Sequence, residues 1–276
     1  MARRNSSLGR LAPPSQRLLL DLDFLRQAPA CIEALAQRGR DELAELLRDS
    51  HARKRRQLPA LIFNATLGNA EYRDFWRPSP LPDAYPASTG STVVADLAAV
   101  TGAARRWLSG DYSGDGDDLE LHLGGVARGD GGELLRALAQ QSAYLDATTR
   151  LLEARAQRGA LCRAGLQPRA ALILRTVARR YFVAGVQRRA AALERRRRAL
   201  LPAVRELESL LATVLPVAYA EWQRARDRDL AHWSGAAKRH VRGLQGLLGS
   251  CFDEFAASPR SPRAPRRGAG DALPIA

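Results

Sequence analysis

Lysine, cysteine and aromatic residues are scarce in this 276-residue sequence, and no apolar run is long. No window reaches 18 uninterrupted apolar residues, which excludes a conventional membrane-spanning helix. The start of the chain is basic but has no apolar segment before Pro13 and Pro14, so it does not read as a signal peptide. The three cysteines are an odd number and lack CxxC spacing, which argues against a zinc site and a self-contained disulfide framework.

Familiar motifs of catalysis and nucleotide binding are also missing: there is no GxSxG, HExxH, P-loop, or GxGxxG opening a helix after a strand. Asp21 and Asp23 point to different faces of a predicted helix and make a poor acid/base pair. The histidines are scattered, lack a completing carboxylate or thiolate, and are interpreted as surface or boundary residues: His51, His122, His232 and His240. We therefore predict no catalytic residue, no cofactor and no metal, apart from one weak calcium candidate.

The net charge of +14 comes almost entirely from arginine, since only Lys54 and Lys238 among the 43 basic residues are lysines. This skew, together with abundant alanine, is what a GC-rich coding sequence produces. The arginines are spread over every predicted helix, and the run 195–198 displays its side chains around the whole helix. The sequence thus favours a solvated basic surface over a surface that binds phosphates.

The longest regular pattern is a heptad-type apolar stripe, which predicts a long helix packed against a partner along its length. It comprises Val183, Val186, Ala190, Leu193, Arg197, Leu200, Val204, Leu207, Leu211 and Val214. Pro202 interrupts the helix sequence, but the stripe resumes in phase after it, so we predict a kink and not a break.

Further helices are predicted on both sides of this arm. A first helix starts at Pro13–Pro14, and a second, short one opens at Pro29 and closes at Gly39. Asp41 is expected to cap a third, with Leu43, Leu46 and Leu47 facing inward. A stripe of Val93, Leu97, Val100, Ala104 and Trp107 predicts a helix ending near Ser109.

Loops and later helices complete the prediction. Residues 77–90 are proline-rich and read as an extended connector, and 111–120 as an acidic loop. A helix is predicted over 133–158, and the last one starts near Pro216, with an inner stripe of Ala237, Val241, Leu244, Leu248, Cys251 and Phe255. Residues 258–276 are rich in proline, arginine and glycine, which predicts a disordered tail.

The acidic loop contains the calcium candidate. Asp111, Ser113 and Asp115 fall at positions 1, 3 and 5 of an EF-hand loop, and a predicted helix precedes them. The match then fails, because the twelfth position is His122 where a bidentate glutamate is needed. A solvated Asp/Gly turn is the preferred interpretation.

Several strings in the first third of the chain carry a resemblance: RNSSLG, PSQRL, FLRQAPACI, LPALIFNATLG and EYRDFW. With RLLEAR, LCRAG, RRYFVAGVQ and RHVRGLQGLLG further on, the sequence resembles the proteobacterial family called domain of unknown function 3080 over most of residues 4–251. No activity is attached to that family. Some of its members are annotated lipoproteins, which implies an envelope location, and members usually carry a segment ahead of RNSSLG, which implies an N-terminally shortened product here.

The polar residues of these strings have two interpretations. A possible binding surface consists of Arg4, Asn5, Ser6, Ser7, Gln16 and Asn64. Alternatively, polar turns beside helices make local bonds between side chains and the backbone, and this also applies to Thr66.

The topology brings two cysteines within reach of each other. Successive long helices joined by short connectors pack antiparallel, which returns Cys251 towards the connector that holds Cys162. A Cys162–Cys251 disulfide is therefore allowed and would suit an oxidising compartment, with Cys31 left over. Three reduced cysteines remain the alternative.

The predicted fold is all-α: an elongated antiparallel helical bundle with long kinked helices, forming one domain over residues 1–257. Its N-terminal part, 1–110, would pack against the long helices of 131–257. We expect a non-enzymatic structural or interaction protein of the cell envelope, with an unknown protein partner and membrane contact only through a lipid anchor that this chain lacks. Two rival hypotheses are a basic helical protein that binds nucleic acid or anionic lipid, and an enzyme with a site near RNSSLG.

Overall fold

Helices form the architecture of the part of the chain that the computed structural model describes, residues 13–80, 85–86, 89, 91–113, 116–163 and 166–252. Within those residues no β-strand occurs, and the only bridge is an isolated pair between Arg163 and Leu166. The prediction of an all-α fold is confirmed. No helix in the described ranges combines the length and apolarity needed to cross a membrane.

The described helices, in chain order, are α1 (Pro14–Gln37), α2 (Asp41–Ala65), α3 (Ala70–Phe75), α4 (Val93–Ser109), α5 (Gly116–Ala127), α6 (Gly131–Ala156), α7 (Arg169–Val177), a π-helical segment (Ala178–Val186), α8 (Gln187–Leu210), a 3-10 turn (Ala212–Val214) and α9 (Val217–Leu248). The segment from α7 through α8 is one long arm. The predicted tail and Phe255 lie outside the described residues.

Helices α1 and α2 form an antiparallel hairpin that turns at Gly39, whose φ of 65° suits glycine. The predicted break at Pro29 is wrong, because α1 continues through it to Gln37. An interior proline removes one backbone hydrogen bond, but helix-favouring alanines flank Pro29 and α1 packs on α2. Asp41 is the first residue of α2, and Arg40 takes the cap position.

The far end of this hairpin is poorly covered. Between Pro29 and Gln57 the only fully buried residue is Ala44. Leu43 and Leu46, which were expected to face inward, are exposed, Leu46 by 64%. The periodic pattern was correct for a helix, but among the described residues no third element packs over this end, so within that part of the chain only the partner helix covers the apolar residues.

The apolar interior is divided into two clusters. The proximal core lies between the base of the hairpin, α3–α5, the start of α6 and α8, and its largest fully buried members include Leu18, Ile62, Phe75, Leu97, Trp107, Leu134, Leu193 and Leu200. The distal core lies at the other end, between the second half of α6, α7, the π segment and the end of α9, and comprises Leu145, Leu152, Cys162, Ala171, Ala178, Phe182, Ala236, Leu244, Leu247, Leu248, Cys251 and Phe252.

The predicted stripe of the arm is buried from Leu193 to Leu211, and α8 continues through Pro202 without a break. The prediction is wrong at its start, where Val183 is 48% exposed and Phe182 is buried in its place. The π segment explains the shift, because a π turn contains more residues than an α turn and rotates the register by part of a turn. The stripe of α4 is buried at all five predicted positions.

Consecutive long elements run in opposite directions, so α6 and α9 are parallel to each other and antiparallel to the arm. Glu208 and Arg226 pair near the bottom of α8 and α9, while Phe182 stacks with His240 near the top. Along α6 and α9, contacts ascend together: Asp146 meets Arg239 and Thr149 meets His240. The arm, α6 and α9 therefore enclose the distal core on three sides.

A disulfide closes the distal end, with the Cα atoms of Cys162 and Cys251 5.4 Å apart. Gln167, just after Cys162 in the same connector, donates a hydrogen bond of 2.9 Å to the carbonyl of Cys251. The remaining thiol, Cys31, is exposed in α1. The bond thus ties the connector between α6 and α7 to the end of α9.

Candidate functional site

The polar residues singled out from the sequence do not converge in the described part of the chain. Gln16 and Asn64 are exposed on α1 and α2, and neither lines the cavities discussed below. Thr66 donates to the carbonyl of Ile62 at 2.7 Å, and Asn69 caps α3 by accepting from the Tyr72 amide, so these polar residues make local bonds to the backbone. The rest of the predicted surface, residues 4–7, lies outside the described residues.

The calcium candidate meets a structural conflict. The predicted loop 111–120 is too long, because α5 already begins at Gly116, the sixth position of the EF-hand pattern. A helical segment from that position cannot wrap around an ion as the loop does. Asp111 accepts from the Ser113 amide at 3.0 Å, and hydrogen bonds from Ser113 lower the pKa of Asp111. Asp115 lies outside the described residues.

The arginine run of α8 is largely engaged with acidic neighbours. Arg196 pairs with Asp130, to which the Tyr85 hydroxyl also donates at 2.9 Å. Hydrogen bonds from Arg197 and then Arg198 lower the pKa of Glu194 to about 2, although partial burial opposes this. Three of the four side chains therefore serve ion pairs within the protein and not a phosphate-binding surface.

The distal core contains an apolar cavity of about 390 Å³, between α6, the arm and α9. This volume is in the range of small-molecule sites. Ten of the fifteen lining residues are aliphatic or aromatic, and the others are four polar side chains and a histidine: Gln140, Gln141, Tyr144, Leu145, Thr148, Leu152, Leu174, Val177, Ala178, Tyr181, Phe182, Val186, Arg189, His240 and Leu244. We name it the distal cavity.

The mouth of the distal cavity exposes large apolar side chains together with the polar side chains of Gln140, Thr148 and Arg189. Tyr144, Val177 and Tyr181 belong to the lining and yet are largely exposed. Leu151, Ile173 and Val183, on the same stretches of α6 and the arm, are exposed as well. Exposed large apolar side chains therefore concentrate at this end of the molecule, the arrangement typical of a binding site for an apolar molecule.

His240 is the most deeply buried polar member of the lining, with 5% of the residue exposed. Its ring lies 4.6 Å from that of Phe182, and its Nδ1 lies 3.1 Å from the Thr149 hydroxyl. Burial lowers the pKa of His240, so the ring is neutral at pH 7. The interpretation of this histidine as a surface or boundary residue is wrong.

A second pattern in the sequence could have located His240. Ala236, His240, Leu244 and Leu247 recur at helical spacing and are all buried, whereas Ala237 and Val241 of the predicted stripe are half-buried. The two stripes differ by one residue and share Leu244. The sequence alone favoured the stripe through Val241, because all of its members are apolar. The stripe that is actually buried contains His240, a residue that a purely apolar pattern leaves out.

A buried polar cluster lies at the opposite end, beside a second cavity of about 410 Å³ lined by Leu67, Gly68, Tyr72, Arg73, Trp76, Tyr219 and Trp222. Glu208 accepts two hydrogen bonds from Arg226 and one from Tyr219 at 2.8 Å. The guanidinium lies about 5 Å from the ring centroids of both Trp76 and Trp222, and these two rings also pack edge to face on each other. Its charged groups satisfy one another, so we interpret this cluster as structural.

Sequence reasoning missed this cluster altogether. Glu208 and Arg226 lie 18 residues apart on different helices, and each looks like an ordinary charged residue of a solvated face. Burial raises the pKa values of Tyr72 and Tyr219, and nearby Glu208 raises both further. No residue spacing identifies a buried ion pair before the packing of α8 on α9 is known.

In the described ranges no group of three or more histidine, cysteine, aspartate or glutamate side chains is placed to hold a metal ion. A histidine–carboxylate dyad joins His122 to Asp96, with 2.9 Å between Nδ1 and Oδ1. The Thr92 hydroxyl donates to the other carboxylate oxygen of Asp96 at 2.7 Å. This dyad ties α5 to α4.

Comparison with known proteins identifies the family of this chain. The family model described as "Protein of unknown function (DUF3080)" matches residues 1–252, so the chain belongs to that family. The resemblance inferred from RNSSLG and the later strings is confirmed. No curated protein and no solved structure matches the chain.

Proposed function

We propose that this member of the family is a non-enzymatic binding protein of the cell envelope that holds the apolar part of a lipophilic molecule in its distal cavity. The observation that carries the proposal is the combination of an apolar cavity of about 390 Å³ with large apolar side chains exposed at its mouth. A soluble surface that keeps large apolar side chains exposed around a cavity loses free energy unless an apolar molecule covers them.

The disulfide supports a location in the cell envelope. Disulfides such as Cys162–Cys251 persist in oxidising surroundings and are rare in the reducing cytosol. The bond lies next to the distal cavity, in the same apolar cluster as Leu152 and Leu244, which line it. A reducing compartment would break the bond and loosen the cavity walls. We therefore propose that the cavity binds its ligand in an oxidising compartment.

The chemistry of the lining supports binding over catalysis. Its ionisable side chains are those of Arg189, Tyr144, Tyr181 and His240. The charged groups of the buried cluster around Glu208 are directed at each other and not at this cavity. The distal cavity offers shape and apolar surface and few groups for proton transfer.

Binding is tested with N-phenyl-1-naphthylamine, whose fluorescence rises in apolar surroundings. We expect saturable binding to the oxidised protein and at least a tenfold loss of affinity in Ala178→Phe, which fills the cavity. Val177→Trp at the mouth provides a second blocking variant, should the first fail to fold. Leu46→Phe, which adds a ring to the exposed hairpin end, is the matched control and should bind as the unaltered protein does. Equal binding by all four proteins would contradict the proposal.

The compartment is tested by blocking free thiols in intact cells with a membrane-permeant maleimide before lysis. We expect one labelled thiol per chain, at Cys31, because the other two cysteines are joined. Labelling of all three cysteines would place the protein in a reducing compartment and remove the envelope part of the proposal. The probe-binding result would stand on its own in that case.

A further inference from the structure

His240 presents an unused hydrogen-bond acceptor in the distal cavity. The Thr149 hydroxyl lies 2.7 Å from the Leu145 carbonyl, a separation of two oxygens that requires the hydroxyl proton between them. Thr149 therefore has no proton left for His240 and accepts one from its Nδ1. Because the ring is neutral, Nε2 carries a lone pair, and no hydrogen bond from the described residues reaches it.

Gln141, on α6, supplies a second unused acceptor. Its side-chain carbonyl oxygen, Oε1, is buried and has no donor within the described residues. Gln141 and His240 both belong to the lining of the distal cavity. Buried acceptors in folded proteins are nearly always paired, and Oε1 of Gln141 is an exception. Because its residue lines the same cavity as His240, whose Nε2 also lacks a donor among the described residues, we expect a bound molecule to supply the donors.

The charges around the cavity restrict the head group that carries these donors. Arg189 lies in the lining, and Arg188 is adjacent to it, which disfavours an ammonium group. Arg189 would attract an ionised carboxylate or phosphate, but such a group has no proton to give and would leave Nε2 of His240 and Oε1 of Gln141 without a donor. Hydroxyl groups satisfy the acceptors and bring no charge.

The depth of the polar groups gives the orientation of the ligand. His240 is buried, while the exposed part of the lining offers the large apolar surfaces of Tyr144, Val177 and Tyr181 beside a few polar side chains. A head group that bonds to His240 must therefore lie deeper than the mouth. A hydroxylated head enters first, and the apolar chain follows along the mouth. The π segment contributes to this arrangement, because its register places Phe182 against the His240 ring.

We propose that the ligand of the distal cavity is a neutral single-chain amphiphile with a hydroxylated head, such as a fatty alcohol or a monoacylglycerol, recognised through Nε2 of His240 and Oε1 of Gln141. This inference rests on the proposed function, since it presupposes an apolar molecule in that cavity. It adds the chemical class of the head group and the direction in which the molecule lies.

The test compares four probes of equal chain length, 1-decanol, its methyl ether, decanoate and decylammonium, by displacement of N-phenyl-1-naphthylamine. We expect 1-decanol to bind at least tenfold more tightly than the methyl ether, which has lost only the donor. The two charged probes should bind more weakly than 1-decanol. In His240→Phe the preference for the alcohol should fall below about twofold while the affinity for the ether stays unchanged.

His240→Phe keeps a ring against Phe182 and leaves Thr149 bonded to Leu145. If this variant does not fold, Gln141→Leu measures the loss of the second acceptor. His232→Phe, which makes the same change at an exposed histidine of α9 that does not line the cavity, is the control and should retain the full preference. Equal affinities for alcohol and ether would overturn the head-group assignment and leave the proposed function standing. Tighter binding of decanoate would overturn it in favour of an anion, and failure of every probe to bind would instead contradict the proposed function.

Discussion

Arg226 and Glu208 form a two-pronged ion pair, with Nη1–Oε1 and Nη2–Oε2 distances of 2.6 and 2.9 Å and 1% of each side chain exposed. Tyr219 and Gln223 add hydrogen bonds of 2.8 and 2.7 Å to the same carboxylate. The pair joins α8 to α9 at the end of the molecule away from the disulfide. Each charge is buried, so each depends on its partner.

Removal of one partner of the ion pair should therefore strongly destabilise the folded protein. We expect Arg226→Met to lower the free energy of unfolding by about 3–5 kcal/mol, because Glu208 is left as an uncompensated buried charge. The double variant Arg226→Met/Glu208→Leu should recover a large part of this loss. Urea unfolding followed by circular dichroism measures both. Arg105→Gln, which breaks an exposed pair with Glu206, is the control and should cost less than about 1 kcal/mol. A similar cost for both single variants would refute the role assigned to burial.

Reduction of the disulfide should weaken the protein. The bond joins cysteines 89 residues apart, and the chain-entropy estimate for a loop of that size is about 4–5 kcal/mol, an upper value because measured effects are often smaller. We expect Cys162→Ser and Cys251→Ser to be destabilised by up to that amount and to bind N-phenyl-1-naphthylamine less tightly. Cys31→Ser should change neither quantity. Three free thiols in the oxidised, denatured protein would show that the bond does not form.

Acid should remove the stabilisation that Glu194 provides. Hydrogen bonds from Arg197 and Arg198 lower its folded pKa to about 2, below the value of about 4.3 expected for an unfolded chain. The contribution is therefore fully present above the unfolded pKa and is lost as the pH falls towards 2. The difference in unfolding free energy between the unaltered protein and Glu194→Gln should shrink from pH 7 to pH 2.5. A difference that stays constant over this range would contradict the assignment.

Two adjacent glycines of α5 should respond differently to alanine. A Cβ at Gly125 would lie 2.3 Å from an Asp96 carboxylate oxygen, and that side chain is held by Thr92 and His122. We expect Gly125→Ala to cost about 1–3 kcal/mol. Gly124→Ala meets only the end of the Arg128 side chain at 3.5 Å and should be stabilising by up to about 1 kcal/mol. Thermal unfolding of the pair measures the contrast, and equal melting temperatures would show that Asp96 moves aside.

Apolar periodicity predicted the helices well wherever a helix packs with one face against a core. The stripe from Val93 to Trp107 is buried throughout, and that of α8 holds from Leu193 onward. It was wrong by one residue at Val183, because the π segment changes the number of residues per turn and leaves no mark in the pattern. Leu43 and Leu46 show the other limit: a stripe indicates which face is apolar but not whether anything covers it.

The candidate site was predictable only in part. The cysteines that close the distal end were placed near each other by the order and length of the helices, before any contact was known. The acceptor at His240 could not be foreseen, because it depends on the Thr149 hydroxyl of another helix being already committed to Leu145. Arg4 and its neighbours attracted attention as a polar string, whereas the polar groups of the distal cavity are dispersed over α6, the arm and α9.

The sparse cover of the hairpin end makes it the natural place to engineer this protein. From Pro29 to Ala52 the two helices bury only Ala44, so few contacts would be lost if both were shortened or extended together. Seven residues added to or removed from each helix amount to nearly two whole turns and keep the paired faces aligned. A fluorescent label, an epitope or an affinity handle grafted there would leave the distal cavity as it is.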